Sequence, residues 1–204
     1  MPRAWDDNEK EAVRAALIEQ GRRLFERHGL KKTTVDEIAA AAGISKGAFY
    51  HFYGSKEELY FSILERDEGE FRKEVYAPFE DPGSSHRESF RRFLDNSVSF
   101  LISRPLYRQI DSQDLQHLMR KLPPRILDDH MRGDQEFFER LTRTWVSKGW
   151  MRPVDPQALT GVLLSLIYFV VNRDDFGALS FDSAKELLID MITTYLIPET
   201  GGRQ

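Results

Sequence analysis

The chain has 204 residues, of which 41% are hydrophobic and 30% charged, and it contains no cysteine. Length and composition suit a globular chain with a sizeable core, and the missing thiols exclude disulfides and thiolate metal sites. The formal net charge of −4 argues weakly against a nucleic-acid partner, but the first 60 residues are neutral, with ten basic and ten acidic side chains, so the acid excess lies beyond them.

The start, Met1–Lys10, is polar and lacks the apolar stretch of a signal peptide. The longest apolar run, near Gly161–Val171, falls short of the roughly 20 residues that a bilayer span takes. A cytoplasmic protein without a membrane partner is expected. No segment alternates apolar and polar residues between hairpin turns, so the chain reads as all-α. A first helix is predicted from about Asn8 to His28, with Val13, Leu17, Leu24 and Phe25 on one stripe and Gly29 as its C-terminal stop. Thr34-Val-Asp-Glu37 reads as a capping box that opens a second helix to about Ala42. Gly43 and Ile44 form a turn, Ser45 caps a third helix through about Phe52, and Gly54 ends it. Ser55-Lys-Glu-Glu58 is a second capping box, opening a fourth helix striped by Leu59, Tyr60, Ile63, Leu64, Phe71 and Val75.

Pro82–Ser85 reads as a linker. Beyond it, Phe90, Phe93, Leu94, Val98 and Leu101 mark a helix that Pro105 interrupts, and one further helix is predicted over Leu106–Met119. Pro123-Pro124 precedes a long helix to about Lys148, with Phe137, Phe138, Leu141 and Trp145 on one face. Pro156 suits the first turn of a helix to about Arg173, and a last helix covers about Asp182–Leu196 before a loose tail, Thr200–Gln204.

The segment Thr33–Lys56 carries the chemistry. Two short helices joined by a glycine-containing turn are the signature of a helix-turn-helix. Its first helix braces the second, which enters the major groove. Within 27–56, Arg27, Lys31, Lys32, Lys46 and Lys56 face only Asp36 and Glu37, which predicts a local basic surface. The expected DNA contacts are Lys32, Thr33, Thr34, Ser45, Lys46, Gly47, Ala48, Tyr50, His51 and Lys56. Thr34 and Lys56 would meet phosphate, Ser45 and Lys46 would point at the groove, and Gly47 and Ala48 are small enough for close approach, with Ala48 against a thymine methyl. Ile44, Phe49 and Phe52 would set the helix angles from inside.

The run Leu24-Phe25, Gly29, Thr33-Thr34-Val35, Ile38-Ala39, Ala42-Gly43-Ile44-Ser45, Gly47, Phe49-Tyr50, Phe52, Ser55-Lys56 and Leu59 resembles the amino-terminal domain of the tetracycline-repressor (TetR) family, over about residues 10–60. Phe49 stands where that family commonly has an aliphatic residue, and Gly21 where it has alanine, which weakens the first helix slightly. The resemblance implies an all-helical homodimer that binds a double-stranded operator, with residues 1–55 as the DNA-binding domain and 56–204 as a ligand-sensing and dimerisation domain. It implies a repressor released by a small, apolar or amphipathic effector, with no cofactor and no enzymatic activity. Phe93, Phe100, Tyr107, Phe137, Phe138, Trp145 and Tyr168 are core residues first and candidate pocket residues second. The last two helices would supply a dimer interface through Leu159, Val162, Leu163, Leu166, Leu188, Met191, Ile192 and Tyr195. An activator or protein-docking factor without a ligand, and a helical enzyme or scaffold without DNA function, remain alternatives. Asp128-Asp129-His130 reads as a solvated helix start rather than a metal site, for want of a second ligand pair.

Overall fold

The computed structural model describes residues 5–76, 85–109, 112–176 and 180–198, all helix, turn or coil with no strand. In chain order the helices are α1 (Asp7–Lys32), α2 (Val35–Ala41), α3 (Lys46–Phe49), α4 (Lys56–Tyr76), α5 (His86–Ser103), α6 (Pro105–Gln109), α7 (Ser112–Lys121), α8 (Pro124–Ser147), α9 (Pro156–Val171) and α10 (Phe181–Leu196), with a 3-10 turn at Arg173–Phe176. The expected linker at 82–84, the tail from Thr200 and the side chain of Val75 lie outside the described residues. No described helix is long and apolar enough to cross a membrane.

The chain divides into two compact units. One comprises Met1–Glu70 and Pro105–Leu122, the other Phe71–Arg104 and Pro123–Gln204. In the first unit, Leu17, Phe25, Ile38, Phe49, Leu59 and Ile63 have no exposed surface. Burial of each such side chain stabilises the fold by about 1.5–3 kcal/mol. Phe25 of α1 meets Tyr60 of α4 edge to face at 5.0 Å. Gly21 explains how α1 and α4 come so close: a Cβ there would stand 2.8 Å from Leu59 Cδ2. The sequence treats this glycine as a weakness of α1, whereas the packing uses its missing side chain.

Helix boundaries follow local chemistry. Gly29, at φ 76°, breaks the regular course of α1, and one more turn runs on to Lys32. Both arms of the expected Thr34–Glu37 box form. At α4 the box is altered: Ser55 Oγ accepts from Glu58 N at 3.1 Å, but the Glu58 carboxylate accepts from Gly54 N at 2.8 Å. A third box, Asp6 with Glu9, opens α1. Of the helix expected over Leu106–Met119, α6 and α7 cover the described residues, positions 110 and 111 lying outside them, and Pro105 stands in the first turn of α6 rather than only ending α5. Two tyrosines tie α6 to α4: Tyr60 donates to Leu106 O at 3.1 Å and Tyr107 to Leu64 O at 3.2 Å. Burial pushes the Tyr60 phenol pKa up, so this donor stays protonated.

The second unit packs α5, α8, α9 and α10 around Phe90, Phe93, Leu94, Leu141, Trp145, Leu163 and Ile189. Phe90 and Phe93 both meet Trp145 edge on, at 5.2 and 6.1 Å. Arg91 of α5 joins α10 through Glu186 at 2.5 Å and through Asp190.

Candidate nucleic-acid interface

The helix-turn-helix is built from α2, a turn at Gly43 with φ 72°, and α3. Ile44 N closes the turn on Ala39 O at 2.9 Å. Ser45 Oγ caps α3 by accepting from Ala48 N at 3.2 Å. The α-helical part of α3 is shorter than expected. After Phe49 the chain tightens, with His51 N on Ala48 O at 3.1 Å and Phe52 N on Phe49 O at 2.9 Å. Phe49 is fully buried and holds α3 against its unit. Phe52 is half-buried, stacked on Trp5 at 5.1 Å and covered by the Arg14 guanidinium at 5.8 Å.

This inner packing leaves one set of side chains outside. Ser45, Lys46, Gly47, Tyr50 and His51 are exposed, Ala48 is half-buried, and Tyr50 shows 51% of its surface. Gly47 has no positive φ, and a Cβ built on it would meet nothing nearer than Ser45 Oγ at 3.9 Å. The chain's own packing therefore does not require a glycine there. Thr34 and Lys32 are also exposed. The Glu37 carboxylate accepts from Thr34 N and Oγ1, both at 2.8 Å, and these bonds hold its pKa below the usual carboxylate value.

Two of the residues expected at DNA are bonded within the chain. Thr33 has no exposed surface, and its hydroxyl donates inward to Gly29 O at 2.8 Å and Leu24 O at 3.3 Å. Lys56 is half-buried and donates to three backbone carbonyls. The basic surface is also more compensated than the local sequence implies. Lys46 Nζ lies 2.7 Å from Asp36 Oδ2, a hydrogen bond that raises the lysine pKa. Lys31 Nζ lies 2.7 Å from Asp114 Oδ1 of α7, a partner some eighty positions away.

In the second unit, Phe93, Phe137 and Trp145 are buried, and Phe100 and Phe138 are half-buried. Phe100 lies 4.6 Å from Phe71, and Phe137 lies beneath the Arg72 guanidinium at 4.6 Å. Tyr107 belongs to the first unit. Tyr168 is 60% exposed and faces away from the core. Of the residues expected at a dimer contact, Leu159, Leu163 and Leu166 are buried in the chain's own core, Leu188 and Ile192 are half-buried against it, and Val162, Met191 and Tyr195 are exposed. Other large apolar side chains are exposed beside them, so that Val162, Leu164, Ile167 and Tyr168 are spread around the outer side of α9, and Leu187, Met191 and Tyr195 form a stripe on α10. Near the start of α8, Asp129 pairs outward with Arg132 at 2.9 Å, while His130 approaches Asp134 at 3.5 Å.

Residues 17–63 match the family described as bacterial regulatory proteins, tetR family. Over 95 residues the chain is 35% identical to the HTH-type transcriptional regulator AcrR of Shigella flexneri, a stretch covering 45% of this chain and 44% of that protein. Over 63 residues it is 43% identical to the HTH-type transcriptional repressor KstR2 of Rhodococcus jostii, 31% of each. The matched stretch thus spans less than half the length of these relatives. A TetR-family regulator from Pectobacterium atrosepticum has the same fold, with a TM-score of 0.69 at 22% identity over 92% of this chain and 94% of that one. So does AibR, solved in complex with isovaleryl coenzyme A and operator DNA, with a TM-score of 0.56 at 21% identity over 88% and 97% of the two chains. The likeness to the TetR family of bacterial regulatory proteins is thus carried by residues 17–63, the stretch that holds the helix-turn-helix.

Proposed function

We propose that the protein is a homodimeric transcriptional repressor that binds a two-fold symmetric operator and is released by a small apolar or amphipathic effector. The observation that carries this reading is the exposed set on α3: Lys46, Tyr50 and His51 project outward around a glycine that the chain's own packing does not need. In the complex, α3 lies in the major groove, Ser45, Lys46, Tyr50 and His51 reach base edges and sugar-phosphate, and Ala48 meets a thymine methyl. Thr34 and Lys32 contact the flanking backbone. Lys46 exchanges Asp36 for DNA on binding. That exchange is feasible because an exposed ion pair contributes little.

The exposed apolar side chains of α9 and the apolar stripe of α10 support a dimer. Patches of large apolar side chains on a soluble surface mark interaction sites, and a second copy of the same chain offers the same patch in return. Two copies place two α3 elements in successive major grooves, about 34–36 Å apart.

The effector is proposed to bind among the aromatic side chains of the second unit, with Phe93, Phe100, Phe137, Phe138 and Trp145 as its apolar wall. AibR, with its bound isovaleryl coenzyme A, is a relative in fold that holds both a partly apolar ligand and DNA. Helix α4 supplies residues to both units and is the proposed coupling element. The effector lowers DNA affinity by binding the DNA-incompetent state better. Moving that equilibrium from 1:99 to 99:1 takes differential affinity of roughly 10⁴-fold.

Fluorescence anisotropy with duplexes enriched from a random pool tests the groove assignment. The Lys46→Ala/Tyr50→Ala double variant is expected to lose sequence-selective binding while keeping its helical circular-dichroism spectrum. Selective binding equal to wild type would remove α3 from the interface.

A further inference from the structure

Three carbonyl oxygens converge on one ammonium in the first unit. Lys56 Nζ donates to Leu30 O at 2.8 Å, to Lys31 O at 3.1 Å and to Thr33 O at 2.8 Å. A lysine ammonium has three N–H donors and no more, so these bonds occupy all of them. The acceptors lie at the end of α1 and just beyond it, where carbonyls lack helical partners and carry the negative end of the helix dipole. Lys56 also opens α4, whose positive end disfavours a cation and suits the neighbouring Glu57 and Glu58. The favourable surroundings of this cation therefore come from α1, not from its own helix. Thr33 completes the closure: its N–H and its hydroxyl both bond Gly29 O, at 3.3 and 2.8 Å.

The next residue, Thr34, is the N-cap of α2. The turn whose carbonyls Lys56 gathers thus fixes where the helix-turn-helix begins. We infer that Lys56 is a positioning residue for DNA binding. It locks the Leu30–Thr33 turn to the start of α4, so that Lys32, Thr34 and the α2–α3 pair meet the duplex as one preset surface. It acts through backbone carbonyls and not by neutralising a phosphate. The inference rests on the DNA-binding reading above and assigns a mechanism to one residue within it.

A phosphate contact and a carbonyl lock differ in salt dependence and in their tolerance of arginine. Removing a phosphate contact flattens the plot of log K against log salt by about 0.9 per contact. Arginine serves phosphate at least as well as lysine, but its planar fork does not reproduce three donors converging on three carbonyls. The test compares full-length wild type with Lys56→Met and Lys56→Arg on a duplex enriched from a random pool by the wild-type chain, well below the unfolding temperature and across a salt series. Both variants are expected to bind roughly tenfold more weakly, the scale of one lost charge-assisted hydrogen bond, with the salt slope unchanged. Without DNA, amide exchange over Thr34–Ile38 is expected to quicken in both. Lys56→Gln, which keeps an N–H donor, is read in the same way if the methionine variant does not fold. A flattened slope with affinity restored by Lys56→Arg would overturn the inference, as would wild-type affinity in the folded Lys56→Met variant. Should wild type bind no duplex at all, the DNA reading fails by itself. Amide exchange then decides the lock, and unchanged exchange in Lys56→Met would overturn it.

Discussion

Removal of the Asp67 carboxylate should loosen the joint between α1 and α4 more than any comparable change on the surface. Asp67 is buried, with 2% of its side chain exposed, and accepts two bonds from the Arg22 fork, from Nη1 at 2.8 Å and from Nη2. Arg22 is 25% exposed, and its second acidic neighbour, Glu26, stands 3.9 Å away. The hydrogen bond to Asp67 is the main cause that raises the already high Arg22 pKa. Breaking one half of a buried pair costs about 3–5 kcal/mol, because the remaining charge is left without its partner. Residual solvent access and Glu26 soften that here, so Asp67→Ala should cost about 3 kcal/mol. Asp67→Asn, which keeps the shape and one acceptor, should fall between it and wild type. The double change Arg22→Met/Asp67→Leu removes both charges and should recover most of the loss. Urea unfolding followed by far-ultraviolet circular dichroism measures all of these, and a thermodynamic cycle isolates the pair. A loss below about 1 kcal/mol for Asp67→Ala, or a double variant as unstable as the two singles summed, would refute the reasoning.

Asp36 holds Lys46 in the free protein at 2.7 Å, so Asp36→Asn should tighten duplex binding and steepen its salt dependence in an anisotropy titration. Met191 is 59% exposed in the α10 stripe, so Met191→Lys should shift sedimentation velocity toward monomer without loss of helicity, and weaken operator binding with it. Burial is the main cause that raises the Asp95 pKa, with Arg91 pulling it down and Glu186 pushing it up. Ionisation of Asp95 in the folded state is therefore disfavoured, and the stability it contributes at low pH is lost as pH rises through the raised value. Asp95→Asn should accordingly be more stable than wild type at neutral pH, with the gap closing as pH falls toward the ordinary carboxylate value. A gap that widens toward low pH would contradict this, and a urea series at several pH values decides it.

Local signals carried most of the first unit. Threonine three residues ahead of glutamate gives the α2 cap, glycine gives the turns at 29 and 43, and the order of small and aromatic residues through α3 carries the likeness to the TetR family. The Asp6–Glu9 box has the same spacing and opens α1 two residues ahead of Asn8, where the apolar stripe alone puts the start. What the sequence does not reveal is who meets whom across long separations. The sequence does not show that Asp114 of α7 meets Lys31, or that carbonyls at the end of α1 meet Lys56. Charge counting along a window sees neither partner.

The second unit is less legible for a different reason. Helix α9 is apolar on nearly every side, so periodicity does not say which face meets the chain's own core. The fold turns Leu159, Leu163, Leu166 and Val170 inward and leaves Val162, Leu164, Ile167 and Tyr168 outside. Tyr168, a candidate pocket residue by sequence, lies on the outer side of α9 for this reason. Aromatic residues such as Phe93 and Trp145 read as core from sequence and are core in the fold. A role in ligand binding adds no further pattern to them.

The most direct measurement is selection of duplexes from a random pool by the purified wild-type chain, followed by sequencing. A two-fold symmetric motif, with half-sites one helical turn or a multiple of it apart, is the predicted outcome. The same selection with Lys46→Ala/Tyr50→Ala should lose the motif. A pool that shows no enrichment at low ionic strength, or an asymmetric motif unaffected by the double variant, would contradict the account.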